Sequence, residues 1–547
     1  MGNFEILNVN SLQKVVPHER PNLIENQNFC FTNEVFAYQV AYCHHERAFI
    51  LQRCSWEVES DIKDFISVRP VKLMPCTTPI FHESDEYYLT KQACLMPDLL
   101  SDETEFYIRY EQWHSLWVTV KGDLPVGEHK ITVKLFDKDK NEIGKSEYVL
   151  TVLNKKLPKA DVKYAQWFHY DSIAKYYGLE VWSQEYNRVM NAFIKSAVEH
   201  GQNTLLVPLV TPPTNTYIGG ERLTTQLVDV YKKADGYEFD FERLKWFMKN
   251  AESLGVTCFE MTHLYTQWGA EKAPKIIVEE NGKKYNAFGW KEDALGEKYT
   301  TFMKAFMPKL IDFLKAEGYG ADRVFFHISD EPSIEALDGY LKIRAFLKPM
   351  LGEYKIFDAL SNYEFSSSGA VDMPVVETRH SDEFIEKKVK NLWVYYCMGD
   401  GIKGLSNRLM PQPSWRTRIL GIQLYNIGAE GFLHWGYNYY NSALSEEYIN
   451  PYVITDAWGS FQSGDSFVVY PSKDGTPLDS LRHEVMFEGF QDYSALMLLE
   501  EKIGRDEVLK IIKENGVGQN MTDYPKSAEW IIGFRKLVYE KIMGLGK

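Results

Sequence analysis

Eight short apolar runs along the middle of this chain alternate with helical segments, a pattern of neither an all-β nor an all-α fold. They are YAQWFH (164–169), NTLLVPL (203–209), TCFEMTH (257–263), RVFFHI (323–328), KIFDAL (355–360), PVVETR (374–379), LWVYYC (392–397) and GFLHWG (431–436). Each has strand length and the near-continuous apolar character of a strand buried on both faces. Helical periodicity fills most of the gaps, at 182–200, 240–254, 298–317, 333–349, 382–390 and 415–429, with a further segment at 480–503. Eight strands with intervening helices predict a (β/α)8 barrel of the TIM type, assigned here to residues 158–503. The weakest of the eight are the fifth and sixth runs.

The flanks differ. Residues 1–157 read as all-β, with strand candidates EVFAYQVAY (34–42), RAFILQR (47–53), DFISVRPVKL (64–73), EYYLTKQACL (86–95) and SLWVTVKG (115–122). A hairpin, HKITVKLFDKDKNEIGKSEYVLTVL (129–153), closes the region, and strands at this spacing predict a β-sandwich. His44 and His45 are neighbours on a strand and point to opposite faces, so they do not make a shared metal site. The polar, proline-bearing NKKLPKADV (154–162) reads as a linker. After the barrel, residues 504–547 hold two more helical segments, expected to pack on the barrel's outside.

Composition narrows the function classes. A net charge of −15 over 547 residues argues against a nucleic-acid or anionic-membrane partner. No run is long enough to span a bilayer, and the first residues lack the basic and apolar regions of a secretion signal. The seven cysteines have no CxxC spacing and read as reduced thiols, so a cytoplasmic location is expected. Aromatics reach 14%. That suits sugar stacking and a large aromatic core equally.

In a barrel of this type the chemistry lies at the C-terminal ends of the strands. The fourth run delivers Asp330 and Glu331 where Pro332 must end the ladder, and Ser333 is a good N-cap for the helix that follows. Taken alone, the two acids could be ordinary helix N-terminal charges. The other strand ends supply His169 and Asp171 (first), His263 (third), Glu377 (sixth), Tyr395 (seventh), and Trp435, Tyr437 and Asn438 (eighth). Carboxylates, an amide and aromatic rings on one rim point to a carbohydrate site with acid/base chemistry. A mixed metal site from His169, Asp171, His263 and Glu377 is the competing arrangement, but no HExxH or HxH spacing supports it. No GxSxG elbow, phosphate loop or dinucleotide fingerprint is present, and neither metal nor cofactor is expected.

The seventh run carries no Glu to act as a nucleophile opposite the fourth-strand acid. Adjacent carboxylates instead suit hydrolysis assisted by a 2-acetamido group, one carboxylate stabilising the acetamido nitrogen and its neighbour protonating the leaving oxygen. Beyond the DEP triplet, four stretches carry a family likeness: FHYDSIA (168–174), WVYYCMG (393–399), GFLHWGYNYY (431–440), and GDSFVVYP (464–471) followed by SLRHEVMFEGFQDYSAL (480–496). Together these resemble glycoside hydrolase family 123, the β-N-acetylgalactosaminidase family, over about residues 160–500. The resemblance implies retaining, cofactor-free hydrolysis of a terminal β-linked N-acetylgalactosaminide on an oligosaccharide or glycolipid glycan. It implies Asp330 as acetamido stabiliser, Glu331 as acid/base and Tyr395 as a donor to the acetamido oxygen, with Trp435 and Tyr437 as sugar-facing walls. Residue chemistry alone leaves open a β-N-acetylglucosaminide or non-acetamido substrate, and a non-catalytic glycan-binding protein.

Overall fold

A computed structural model of the chain describes residues 4–46, 52–399 and 401–544. The N-terminal part consists of two five-stranded sheets. One runs, in spatial order, Phe4–Asn10, Phe36–His44, His114–Val120, Ile66–Cys76 and Cys94–Leu100. The other runs Gln27–Phe31, Glu142–Leu153, Gly127–Phe136, Gln52–Glu59 and Phe106–Ile108. Tyr38, Leu116 and Val118 of the first share an apolar core with Ile131, Val133 and Tyr148 of the second. The Tyr38 and Tyr148 rings stack across it at 4.2 Å.

Several N-terminal expectations need correction. The run at 34–42 is the third strand in the chain, preceded by Phe4–Asn10 and Gln27–Phe31. The candidate RAFILQR lies outside the described residues except for its last two positions, which open Gln52–Glu59. Most of EYYLTKQACL is loop, because the barrel claims it. The Asp85 carboxylate accepts from the Gly404 N–H and the Arg416 guanidinium, and the Leu89 N–H donates to the Pro411 carbonyl. Nor is the stretch 154–162 a free linker. Leu157 and Val162 are buried, and the Asn33 side chain exchanges hydrogen bonds of 2.8 and 3.0 Å with the Leu157 backbone.

All eight apolar runs form strands of one closed parallel barrel: Lys163–Gln166, Thr204–Val207, Cys258–Met261, Val324–Phe326, Lys355–Leu360, Met373–Glu377, Trp393–Tyr395 and Gly431–His434. The first and eighth pair in register from Lys163↔Gly431 to Gln166↔His434, which closes the ring. Inside it, Ala165, Leu206, Phe325, Phe357, Val375, Trp393 and Leu433 form a separate apolar cluster. Gly431 is required there, since a Cβ would meet the Trp393 ring at 2.3 Å. Helices follow the strands, among them the short Tyr170–Tyr177 and Tyr363–Ser367, which the periodicity did not predict. Two hairpins, Asp229–Lys233 with Gly236–Asp240 and Ile276–Glu280 with Lys283–Phe288, join into a four-stranded sheet built from the segments after the second and third strands. Among the described residues no helix is long and apolar enough to cross a membrane.

The final helix, Ala528–Met543, does more than cover the barrel. Tyr539 stacks on Phe31 at 4.3 Å, and Arg535 pairs with Glu34 at 2.6 Å, so the tail also holds the N-terminal sheets. Buried charge ties the two parts elsewhere. Arg482, on helix Leu481–Ile503, grips both oxygens of Asp98 at 2.8 Å and donates to the Gly464 and Phe467 carbonyls. Arg482 is 2% exposed and Asp98 fully buried. Removing one partner of such a pair strands a charge, whereas an apolar pair of similar volume does not. Asp98→Ala is therefore expected to cost about 3–5 kcal/mol in urea unfolding, with part of the loss recovered in Asp98→Leu/Arg482→Met. An Asp98→Ala variant as stable as wild type would show the pair to be dispensable.

Candidate active site

The fourth strand alternates cleanly. Phe325 and His327 face the barrel interior, while Phe326 and Ile328 pack outward into the main core. The turn that follows is pinned from both sides. From the fifth strand, Asp358 accepts from the Ile328 and Ser329 N–H groups at 3.0–3.1 Å, and from the Tyr340 hydroxyl. From the segment after the third strand, the Thr266 carbonyl accepts from the Ser329 hydroxyl, and the Trp268 N–H donates to the Asp330 carbonyl at 2.8 Å. The Glu331 N–H donates to the Ala359 carbonyl at 3.1 Å. With φ at 44°, Glu331 is in the left-handed region that non-glycine residues rarely adopt. This outlier sits on a candidate catalytic acid, where stored backbone strain tends to be found.

Asp330 is half-buried and Glu331 solvent-exposed, yet the Glu331 carboxyl group reaches over the mouth to the Tyr395 hydroxyl, which donates to Oε1. Glu377, at the end of the sixth strand, is buried and held by Arg379 at 2.9 Å and His380 at 3.4 Å. Desolvation raises the carboxyl pKa of all three. For Asp330 the Glu331 charge adds to the rise, and for Glu331 the Tyr395 hydroxyl opposes it while Glu377 reinforces it. For Glu377, Arg379 pulls the other way. Two carboxyl groups so placed do not both ionise readily, so the pair titrates as a unit.

The remaining rim residues separate into different places. His169 donates from its Nε2–H to the Trp435 carbonyl at 2.8 Å, and burial lowers the pKa of its ring to about 3. Asp171 forms a buried pair with Arg222 at 2.6 Å. His263 lies inside the barrel, stacked on His327 at 4.2 Å and edge-on to Trp167 at 5.0 Å. The four residues of the metal alternative thus sit in three separate clusters. Trp435 is half-buried at the mouth, its indole N–H on Asp465 at 3.0 Å and its ring edge-on to Tyr439 and Phe461.

Two expected sugar contacts are corrected. The eighth strand ends at His434, so its inward–outward alternation does not carry on to Tyr437 and Asn438. Tyr437 falls in the core, fully buried, its ring stacked on Phe168 and its hydroxyl donating to the Phe193 carbonyl at 3.0 Å. Asn438 is also fully buried and clasps the His169 backbone, accepting from its N–H at 2.8 Å and donating to its carbonyl at 3.3 Å.

The sequence profile described as "Glycoside hydrolase 123, catalytic domain" matches residues 167–499, more than half of the chain. The chain belongs to glycoside hydrolase family 123. A solved family 123 glycoside hydrolase from Clostridium perfringens, studied for glycolipid glycan hydrolysis, superposes with a TM-score of 0.75 at 14% identity, covering 99% of this chain and 98% of that one. A β-glucuronidase from Dictyoglomus thermophilum (TM-score 0.33, 11% identity, 90% and 68% covered) and a xyloglucanase from Bacteroides ovatus (0.32, 8%, 85% and 98%) are far less similar, too distant to bear on the chemistry. No curated protein matches the chain significantly.

Several residues of this family 123 site escaped the sequence reading. Arg222 anchors Asp171, Asp465 holds Trp435, and Glu260, His327 and Asp358 fill the barrel interior below the acids. The signal was there for the last three: a carboxylate or imidazole in mid-strand, inside an otherwise apolar run, demands a buried partner. The corrected position of Tyr437 has a direct check. Tyr437→Phe is expected to lower the unfolding free energy by about 1 kcal/mol while glycoside turnover stays within about twofold of wild type. A tenfold loss of turnover with unchanged stability would return Tyr437 to the sugar.

Proposed function

We propose that this family 123 glycoside hydrolase releases terminal β-linked N-acetylgalactosamine, with retention, using the substrate's own 2-acetamido oxygen as nucleophile. The observation that carries this reading is the pair Asp330–Glu331 on one pinned turn, with the neighbouring Glu377 buried against Arg379 and His380. A nucleophilic carboxylate has to reach the anomeric carbon; a salt-bridged side chain 4% exposed is poorly placed to do so. The seventh strand, Trp393–Tyr395, offers a hydroxyl in place of a second acid. The fold shared with the Clostridium perfringens enzyme of glycolipid glycan hydrolysis supports a glycan substrate of that kind.

In this mechanism Glu331 gives its proton to the glycosidic oxygen as the acetamido oxygen attacks C1 and the C1–O bond breaks. Asp330 accepts the acetamido N–H hydrogen bond and stabilises the positive charge that develops there. Glu331, now a carboxylate, takes a proton from the water that opens the cyclic intermediate. Water and substrate become sugar and alcohol, with Glu331 regenerated. Tyr395, on Glu331 Oε1, steadies the acid; a protonated carboxyl group keeps one acceptor oxygen for it. Trp435 supplies an apolar wall.

Paired glycosides test this. Wild type is expected to hydrolyse an aryl β-N-acetylgalactosaminide, to bind a thiazoline mimic of the cyclised intermediate tightly, and to leave the 2-hydroxy galactoside untouched. Glu331→Gln is expected to lose about 10²–10⁴-fold in kcat, most on substrates with poor leaving groups. Asp330→Asn is expected to lose comparably on acetamido substrates. Because a neighbouring negative charge no longer holds the Glu331 proton on, its residual activity should fall off at lower pH than wild type. Wild-type turnover by Asp330→Asn, or equal rates on 2-hydroxy and 2-acetamido sugars, would sink the acetamido mechanism. A preference for the β-N-acetylglucosaminide would reassign the sugar alone.

A further inference from the structure

The barrel hides its apolar side chains well except on one face. Among the described residues, every large apolar side chain that the barrel leaves exposed, apart from Trp246 and Ile503 on helices, lies in a segment between a barrel strand and the next α-helix. That is the face of the catalytic mouth. The most exposed are Ile218 (79%), Trp458 (64%), Val453 (59%) and Trp268 (52%). They come from the loops after the second, third and eighth strands. Exposed apolar residues scattered singly need no explanation, but a set gathered on one face marks a surface that meets something.

The loop tips are uncharged and stiffly held. Residues 217–220, 268–270 and 457–460 contain no Asp, Glu, Lys or Arg. Trp268 and Trp458 each precede a glycine, and each has φ at 63°, a left-handed conformation that is a true outlier for so bulky a residue. Hydrogen bonds behind the tips hold the loops in place. The Asn215 N–H donates to Gln267 Oε1 at 2.7 Å, the Ser445 hydroxyl to the Asn215 carbonyl at 2.6 Å, and the Trp268 N–H to the Asp330 carbonyl. Asp456 accepts from the Thr78 hydroxyl at 2.7 Å, and Phe461 lies edge-on to Trp435 at 5.0 Å. Side chains presented on such loops lose little freedom when they dock, and the loops' foundations reach the acid turn on one side and Trp435 on the other.

We propose that this rim docks on the surface of a neutral lipid bilayer, with Ile218, Trp268, Val453 and Trp458 entering the head-group region, so that the mouth opens onto the glycan of a membrane-embedded glycolipid. For the identity of that glycan the inference rests on the function proposed above. An indole has an apolar body and one N–H, which suits the boundary between head groups and acyl chains. Sugar stacking alone would account for the two tryptophans, but Ile218 and Val453 have no ring face to offer. Charge chooses the lipid. A protein of net charge −15 with uncharged tips gains nothing from an anionic surface and is repelled by one. Binding then follows the apolar area that enters the interface, and it is reversible.

Co-sedimentation of the full chain with phosphatidylcholine vesicles tests this without any turnover. Wild type is expected to partition onto them, and less onto vesicles that also contain phosphatidylserine. Ile218→Asn/Trp458→Asn should weaken the partition about tenfold. Asparagine tolerates the left-handed region, so the loops keep their shape, and an unchanged urea midpoint checks that they do. Trp458→Phe, still apolar, should keep most of the binding. On phosphatidylcholine vesicles doped with a neutral glycolipid ending in β-N-acetylgalactosamine, the double variant should be about tenfold slower than wild type, yet within about twofold on the same glycan free in solution. Wild type that ignores phosphatidylcholine, prefers phosphatidylserine, or loses nothing in the double variant overturns the proposal. So does equal loss on the free glycan, which would make the rim a sugar platform. A wild-type dimer abolished in the double variant would make the rim an interface between copies, and would overturn it too. Failure to hydrolyse any acetamido sugar would refute the proposed function and leave the vesicle measurement standing.

Discussion

A single buried guanidinium, that of Arg482, meets three parts of this molecule at once. Its fork holds Asp98 from the N-terminal sheets, and a third nitrogen donates to the Gly464 and Phe467 carbonyls. The stretch between those carbonyls carries Asp465, which fixes the Trp435 indole at the mouth. Asp98 is further committed to the Tyr470 hydroxyl at 2.6 Å. A charge this deep is tolerable only when nearly every donor finds an acceptor, and the acceptors here come from two segments more than 350 residues apart, Asp98 and the 464–467 stretch. The N-terminal sheets are therefore part of what shapes the catalytic rim.

The same economy of buried polar groups governs the acid turn. Asp358 gathers the Ile328 and Ser329 N–H groups, the Tyr340 hydroxyl and the His327 imidazole on one carboxylate. That convergence leaves the chain little freedom as it leaves the fourth strand. It is what can hold Glu331 in a left-handed conformation costing on the order of 1–3 kcal/mol. Backbone geometry thus places Glu331, and from this rigid base its carboxyl group reaches the Tyr395 hydroxyl.

The barrel was legible in the sequence because its strands are buried on both faces, which writes them as uninterrupted apolar runs; even PVVETR and KIFDAL formed the strands expected of them. The N-terminal strands were less so. Phe4–Asn10 was hidden by its polar asparagines, of which Asn8 is buried on Asn26 and the Glu147 carbonyl. EYYLTKQACL has strand composition but spends it on the barrel interface, where Tyr88 bonds Gln412 and Gln462. Such partners lie more than 300 positions away and leave no local trace. In the site, the strand-end rule found Asp330, Glu331, Glu377, Tyr395 and Trp435 at the mouth. It failed for Tyr437 and Asn438, because the rule presumes that alternation continues past the strand, which ends at His434, and for His263, which is fully buried inside the barrel.

The interior below the acids completes the physical picture. A closed barrel of this size has no space for water-filled disorder, so its central layers are usually apolar, and Phe325, Phe357 and Trp393 make such a layer here. Above them, Glu260, His327 and Asp358 interrupt it with charge. Replacing a paired cluster by well-packed apolar residues is often neutral or stabilising, so stability gives weak reason for its presence. What charge in a dry interior does well is act on other charge at short range, where little water screens it. Glu260 and Asp358 belong to the third and fifth strands, and His327 follows directly on the fourth, beneath the turn that carries Asp330 and Glu331. The three side chains are locked to one another and to the Ile328 and Ser329 N–H groups, so this buried charge fixes where the turn after the fourth strand lies.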